Sequence, residues 1–416
     1  MDTKKKIDEI KELLGEHNIW RKEECLNLIA SENTTSPSAD NVAVSDLSHR
    51  YAEGKPHQRH YQGLKYVDDI EVLTQELMKE VFKAKRVDLR ILSGTLANAV
   101  VYKGLLNHGD NIISSAIPNG GHVSHTRHGI CSIMGLTDFS FPFDNYEMNI
   151  DVDESIKKID EKDPKMLLFG ASLFLFPHPV KELVDAAKEH DAYIMYDAAH
   201  VLGLIAGGQF QDPLREGADI MSASTHKTFF GPQGGIVFGG ESIDDEEWKN
   251  IENAIFPCFI CNHHLHRLPV LAQAAYEFTQ YGEDYAKQTI KNAKTLGEEL
   301  YSLGLDCMAE HKGFTESHQV VVNVEKNGGG KHVAETLEKN NIILNKNFIP
   351  GEKVTKENMN NPNGIRIGVQ EMTRCKMKTD EMKQIAELIK KVVVDKKDIT
   401  EEVKEFRKNY TETGFC

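Results

Sequence analysis

Apolar residues along this chain fall into two kinds of run. Near the start, Ile7, Ile10, Leu13 and Leu14 recur near helical spacing among charged neighbours, which predicts an amphipathic arm over 1–24 that lies on another surface. Tyr66, Ile70, Leu73, Leu77 and Val81 repeat every three or four residues and predict a second helix. The other kind of run is short and apolar throughout, at 111–115, 166–170, 193–197, 219–223 and 235–238. Runs of that length, hydrophobic on both faces and separated by helical stretches such as 180–189, predict strands of a mostly parallel sheet with both faces covered. The fold class is therefore α/β.

Beyond Pro269 the pattern becomes one long helical stretch through Ala272, Ala275, Phe278 and Tyr281 and on past Leu296. A smaller α/β unit follows, with strands predicted at 319–324, 342–345 and 365–368, a helix over 379–393 and a charged, mobile tail from Asp395. The expected division is an arm at 1–24, a large domain at 25–280 and a small C-terminal domain at 281–416.

Composition narrows the partners. The chain has 416 residues, 40% of them hydrophobic, enough for a large core, and 49 basic against 64 acidic residues give a net charge of -15. That balance disfavours nucleic acid or an anionic membrane as a partner. Met1 to Lys6 are charged and no apolar run reaches the ~18 residues of a membrane span, so a cytoplasmic protein without signal peptide or anchor is expected. Seven scattered cysteines do not form a secreted disulfide framework. Cys258, Cys261, His263, His264 and His266 are zinc-capable types, but they lack the spacing of paired ligands. The expectation is a packed loop and no metal.

Candidate chemistry collects where the predicted strands end: Ser172 after one, Asp197 and His200 after the next, Ser224 to Lys227 after a third. Open α/β sheets bind ligands beyond the carboxyl ends of their strands, so these clusters converge on one crevice. Lys227 and Asp197, thirty residues apart, are the pair that pyridoxal phosphate (PLP) requires: an amine for its aldehyde and an acid beside its pyridine nitrogen. His226, Phe229 and Phe230 offer Lys227 surroundings that lower its proton affinity. Ser93, Gly94 and Thr95 open a predicted helix and offer N–H groups, a hydroxyl and the positive end of its dipole to a phosphate, with Ser224 and His226 on the far side. His122, on a glycine-permitted loop, can stack on a pyridine ring. Taken singly, Asp197 also reads as a cap or turn residue, Lys227 as a solvated lysine, Ser93-Gly94-Thr95 as an ordinary N-cap and His122 as a core histidine.

The chain resembles the serine hydroxymethyltransferases. The carrying strings are LIASEN at 28–33, HRYAEG at 49–54, GGHVSH at 120–125, DAAHVLGL at 197–204, THKTFFGPQGG at 225–235 and GIRIG at 364–368. With GQFQDPLREG at 208–217, the version here is most similar to the archaeal branch. The resemblance implies fold type I PLP architecture, with a mostly parallel seven-stranded-type sheet in the large domain, a smaller C-terminal domain, and a homodimer whose active sites are shared. It implies that Lys227 bonds the cofactor aldehyde, Asp197 pairs with the pyridine nitrogen and His122 stacks on the ring. Gly94, Thr95, Ser224 and His226 would hold the phosphate region, and Ser172 and His200 would approach the ring hydroxyl. Arg366 would clamp the amino acid carboxylate, while Ser31, Tyr51, Glu53 and Tyr61 would sit at the substrate, with Glu53 transferring a proton. A reduced pterin, tetrahydromethanopterin or tetrahydrofolate, would lie along Ile117, Gly121, His122 and Val123.

Read from the residues alone, Glu53 is equally a solvated surface glutamate and Arg366 a strand-edge arginine. Two stretches depart from the common family pattern, LFLFPHP at 173–179, which is apolar and stiff, and FPCFICN at 256–262, which replaces glycines with side chains; the end of the motif after Gly368, VQEMTR at 369–374, also differs. The expected activity is serine and glycine interconversion with transfer of the one-carbon unit to the pterin. The rivals are a pterin-independent aldolase acting on threonine-like β-hydroxy amino acids and a catalytically silent PLP-fold or metal-binding protein.

Overall fold

The computed structural model describes residues 3–356 and 358–416. Its centre is a sheet of seven strands: β1 (Arg86–Asp88), β2 (Asn111–Ser114), β3 (Thr137–Ser140), β4 (Met166–Phe169), β5 (Tyr193–Asp197), β6 (Ile220–Ser224) and β7 (Gly235–Gly239). The spatial order is β1-β7-β6-β5-β4-β2-β3, and only β7 runs against the rest. The five apolar runs are its interior, where both faces are covered and every position favours a hydrophobe. The two edge strands, reading RVD and TDFS, carry the polar residues that edges tolerate, so periodicity does not mark them.

Helices α1 (Thr3–Ile19), α2 (Lys65–Phe82), α3 (Gly94–Leu105), α4 (Val180–Glu189), α5 (Arg267–Ser302) and α6 (Thr379–Val393) supply much of the remainder. The 36-residue α5 ties two cores together. Its first half, including Leu271, Ala275 and Phe278, packs in the cluster around the large sheet, and Ala293, Leu296 and Leu300 belong to a second, C-terminal cluster. That second core is covered by an antiparallel sheet of β8 (Asp306–Cys307), β9 (Gln319–Asn323), β10 (Asn345–Asn347) and β11 (Gly364–Gly368), ordered β8-β9-β11-β10.

Four local expectations need correction. The run at 342–345 is not one strand: Ile342 and Ile343 pair in parallel with Leu26 and Asn27, and only from Asn345 does the chain join the small sheet. Leu26 and Leu28 therefore pack in the C-terminal core, although they fall within the expected large domain. Helix α2 buries Val67, Glu71, Thr74, Met78 and Phe82, while Tyr66 and Leu73 of the expected stripe are 71% and 59% exposed. The cause is ionic: Arg59 and His263 wait beneath that face for Glu71. The tail is docked, with a helix at Thr400–Arg407 whose last residue donates Nε–H to the Cys25 carbonyl at 2.9 Å. In α1, by contrast, no residue is buried, and Ile7, Ile10, Leu13 and Leu14 all face outward.

Candidate active site

The carboxyl ends of β2, β4, β5 and β6 open into one cavity of about 680 Å³, closed from the other side by β11 and the loop that follows Leu28. Lys227 stands on the tight connection between the antiparallel neighbours β6 and β7. Two bonds pinch that loop shut, from Thr225 N to the Gly234 carbonyl at 3.1 Å and from Thr225 Oγ1 to the Pro232 carbonyl at 2.6 Å. The Lys227 carbonyl accepts a bond from Asn33 Nδ2 at 2.6 Å, and its amine forms no ion pair among the described residues. Burial, reinforced by Arg366 and opposed by Asp197, brings its pKa down to about 8. An appreciable fraction of the amine is thus neutral, and nucleophilic, near physiological pH.

Asp197 closes β5 and is buried. Its Oδ2 accepts from Asn98 Nδ2 and contacts His125 Nε2, both at 2.8 Å, while Oδ1 accepts from Ala199 N at 3.0 Å. Burial alone would raise its pKa, but the bond and charge of His125 and the bond from Asn98 hold it far below the usual carboxylate range. Bonds to a charged acceptor are worth ~1.5–3 kcal/mol each, so the carboxylate is kept ionised deep in the fold. The relay continues outward: Ser222 Oγ donates to Asn98 Oδ1 at 2.6 Å, and Asn98 Nδ2 also reaches Ser124 Oγ at 3.0 Å.

Around this axis lie the cradle and the ring walls. Ser93 caps α3 through Oγ, which accepts from Leu96 N at 3.2 Å, leaving Gly94 and Thr95 at the cavity floor. A Cβ on Gly94 would lie 2.4 Å from Ser224 Oγ, so a larger residue would push that hydroxyl from its place. His122 and His226 line the same space, and burial lowers both pKa values to about 4, leaving neutral rings. His122 Nδ1 lies 2.7 Å from Ser124 Oγ. His200 Nδ1 accepts from Gln319 Nε2 at 3.0 Å, and burial holds this ring too in its neutral form.

Arg366, at the centre of β11, projects into the cavity from the small sheet. Its Nη1 donates to the Ser172 carbonyl at 2.5 Å, and Nε and Nη2 donate to Asn345 Oδ1 at 3.2 and 3.1 Å. No carboxylate of the described residues neutralises it, and burial lowers its pKa to about 10. A guanidinium so placed is prepared for a carboxylate ligand. Ser31 reaches the cavity because its loop is gripped from the C-terminal unit: Gly368 N donates to the Leu28 carbonyl at 2.8 Å, and Gln370 Nε2 donates to the carbonyls of Ile29 and Glu32 at 2.7 and 2.6 Å. Ile117, Gly121 and Val123 line the cavity as well.

Three expected residues are elsewhere. Tyr51, Glu53 and Tyr61 do not line this chain's cavity; the two tyrosines are about half exposed and meet edge to face at 5.4 Å. No local pattern in the sequence marks His125, Asn98 or Gln319 as functional. His125 lies within the GGHVSH string, yet only the return of that loop over β5 shows its partner. Of the departing stretches, Leu173, Leu175 and Phe176 fill a small core with Met148, Val321 and Ile349, so they do not shape the cavity wall. In the other, His263 turns inward to Glu71 at 3.0 Å while Cys258 and Cys261 stay exposed, so the zinc-capable string is dispersed.

A nucleophilic lysine, an ionised buried carboxylate, an anion cradle at a helix start and an unneutralised arginine, at the strand ends of an α/β sheet, define a PLP-dependent enzyme. The residues fit that cofactor, which when bound supplies an electron sink for a carbanion at the amino acid Cα. The family model described as serine hydroxymethyltransferase matches residues 4–389. Curated serine hydroxymethyltransferases of Metallosphaera sedula and Staphylothermus marinus are 49% and 48% identical over 100% of this chain and 96% and 95% of their own. The crystal structure of an L-threonine transaldolase from Pseudomonas fluorescens superposes with a TM-score of 0.88 at 27% identity, covering 98% of this chain and 92% of that one. The chain belongs to the serine hydroxymethyltransferase family. It is a PLP-dependent transferase that interconverts serine and glycine, with a reduced pterin as co-substrate.

Proposed function

We propose that the cavity is one half of a shared active site, completed in a homodimer by Tyr51, Glu53 and Tyr61 of the second subunit. The supporting observation is what the cavity lacks. Its lining carboxylates are Asp197, committed to the relay with His125, and Glu32, paired with Arg21 at 2.5 Å. Neither is free to take the proton of the serine hydroxyl as Cα–Cβ cleavage begins. Tyr51 and Tyr61, which flank the Glu53 hairpin, and Tyr66 and Leu73 on α2 meanwhile leave apolar surface exposed, as a covered interface requires.

In this reading Arg366 and Ser31 orient the amino acid, Lys227 bonds the cofactor, and His122 lies against its ring. Gly94, Thr95, Ser224 and His226 surround the phosphate, and Ser172 and His200 approach the ring hydroxyl. The pterin lies along Ile117, Gly121, His122 and Val123. Parallel assays of serine-dependent transfer with tetrahydromethanopterin and tetrahydrofolate identify the carrier, and a threonine arm without carrier tests for the activity named for the transaldolase neighbour. Seven unpaired cysteines suit a reducing compartment, and we place the enzyme in the cytoplasm.

The shared site is tested by co-expressing Lys227→Ala and Glu53→Gln chains with different tags. Each parent is nearly inactive, but the hybrid holds one intact site, so a random mixture regains about a quarter of wild-type activity. A purified hybrid no more active than its parents would overturn the sharing of sites.

A further inference from the structure

The hairpin carrying Glu53 is held by a buried ionic clamp at some distance from the cavity. Arg59, its side chain 3% exposed, donates Nη1–H to the carbonyls of both Ala52 and Gly54, at 3.0 and 2.6 Å. These are the carbonyls of the residues on either side of Glu53. The Glu53 carbonyl accepts from His60 N at 3.1 Å, and Ala52 N donates to Asn262 Oδ1 at 2.8 Å. The carbonyls of Ala52, Glu53 and Gly54 are thus all engaged, while the Glu53 carboxylate itself makes no hydrogen bond among the described residues.

The guanidinium is fixed in turn. Its Nε donates to Asp68 Oδ1 at 2.8 Å and its Nη2 to Glu71 Oε2 at 2.6 Å, both on α2, and Glu71 Oε2 also meets His263 Nε2 at 3.0 Å. Asp68 Oδ2 accepts from His57 N at 2.9 Å, closing the turn of the hairpin. A fork with several donors can hold two carboxylates and two carbonyls at once; the three donors of an ammonium on a flexible stem cannot.

We infer that Arg59 is a positioning residue for the reaction: it touches neither substrate nor cofactor, but sets the direction in which Glu53 presents its carboxylate. The inference rests on the proposed role of Glu53. It also gives a reason for charge on the buried face of α2, where an apolar residue would fill space without holding the hairpin.

The test is a double-mutant cycle on the holoenzyme with Arg59→Lys, Glu53→Gln and the pair, with Glu71→Gln as a second way to loosen the fork should Arg59→Lys fold poorly. Melting temperature and the visible cofactor band establish that each variant is folded and loaded. Arg59→Lys is expected to lower kcat for serine cleavage ~10–100-fold, the scale of a misplaced reacting group, with the KM for serine changed less than about threefold. In the Glu53→Gln background the same change should cost less than about twofold, because the group it positions is already gone. Losses that multiply in the double variant, or a rise in KM with kcat intact, would overturn the inference. If Glu53→Gln alone leaves kcat unchanged, the role of Glu53 fails and the inference falls with it. A normal kcat in Arg59→Lys beside a crippled Glu53→Gln removes the inference alone.

Discussion

The depressed pKa of Lys227 makes a quantitative claim about how the apoenzyme captures its cofactor. Only the neutral amine attacks an aldehyde, so the rate of capture follows the deprotonated fraction of Lys227. With the pKa at about 8 instead of the ordinary 10.5, that fraction at pH 7.5 is ~24% instead of ~0.1%, a gain of ~240-fold. Stopped-flow mixing of apoenzyme with PLP, followed by the visible band between pH 7 and 10, should show the rate rising with pH and levelling off near 8. The neighbours set the sign of two further shifts. Asp197 favours the ammonium, so Asp197→Asn should move the bend to lower pH; Arg366 disfavours it, so Arg366→Ala should move the bend upward. Lys227→Ala should give no borohydride-sensitive band at any pH. A rate that climbs tenfold per pH unit to pH 10 without a bend, or bends that move in the opposite senses, would refute the electrostatic reading of the site.

Arg366→Ala should also raise the KM for serine by roughly 10–150-fold, the worth of ~1.5–3 kcal/mol for a charged hydrogen-bonded pair, with the cofactor still bound; unchanged serine saturation would remove the carboxylate clamp. Gly94→Ala places a Cβ at 2.4 Å from Ser224 Oγ, and relieving an overlap that costs ~1–3 kcal/mol should weaken PLP binding about 5–150-fold, measured by titration of apoenzyme. Wild-type affinity in that variant would show that the cradle does not depend on the close approach of its walls.

The parts of the site legible in the sequence are those that local pattern creates. Asp197 ends one apolar run, Ser224 directly follows another and Gly94 follows a capping serine, so their places at strand and helix ends follow from strings of a few residues. What stayed hidden depends on contacts between distant segments. His125 acquires its role only when its loop folds back over β5, 72 residues away along the chain, and Gln319 only when the small sheet meets His200. The same holds for the fold. The interior strands announce themselves by burial on both faces, whereas β1 and β3 sit at edges and the Ile342 pair finds its partner at Leu26. On α2 the apolar stripe marks the buried face only in part: Ile70, Leu77 and Val81 pack against the core, while Arg59 and His263 draw the Glu71 carboxylate inward.

The pairing of Leu26 with Ile342 also orders events during synthesis. Leu26 leaves the ribosome 316 positions before its strand partner, and Leu28 and Ile29 are held by Gly368 and Gln370, later still. At roughly 5–20 residues per second, that wait is on the order of 15–60 s. Throughout it Leu26 and Leu28 have no native shelter, and Ser31 cannot take its station. A nascent chain halted before the last hundred residues would therefore offer a chaperone a hydrophobic N-terminal segment and could not yet present a finished amino acid pocket.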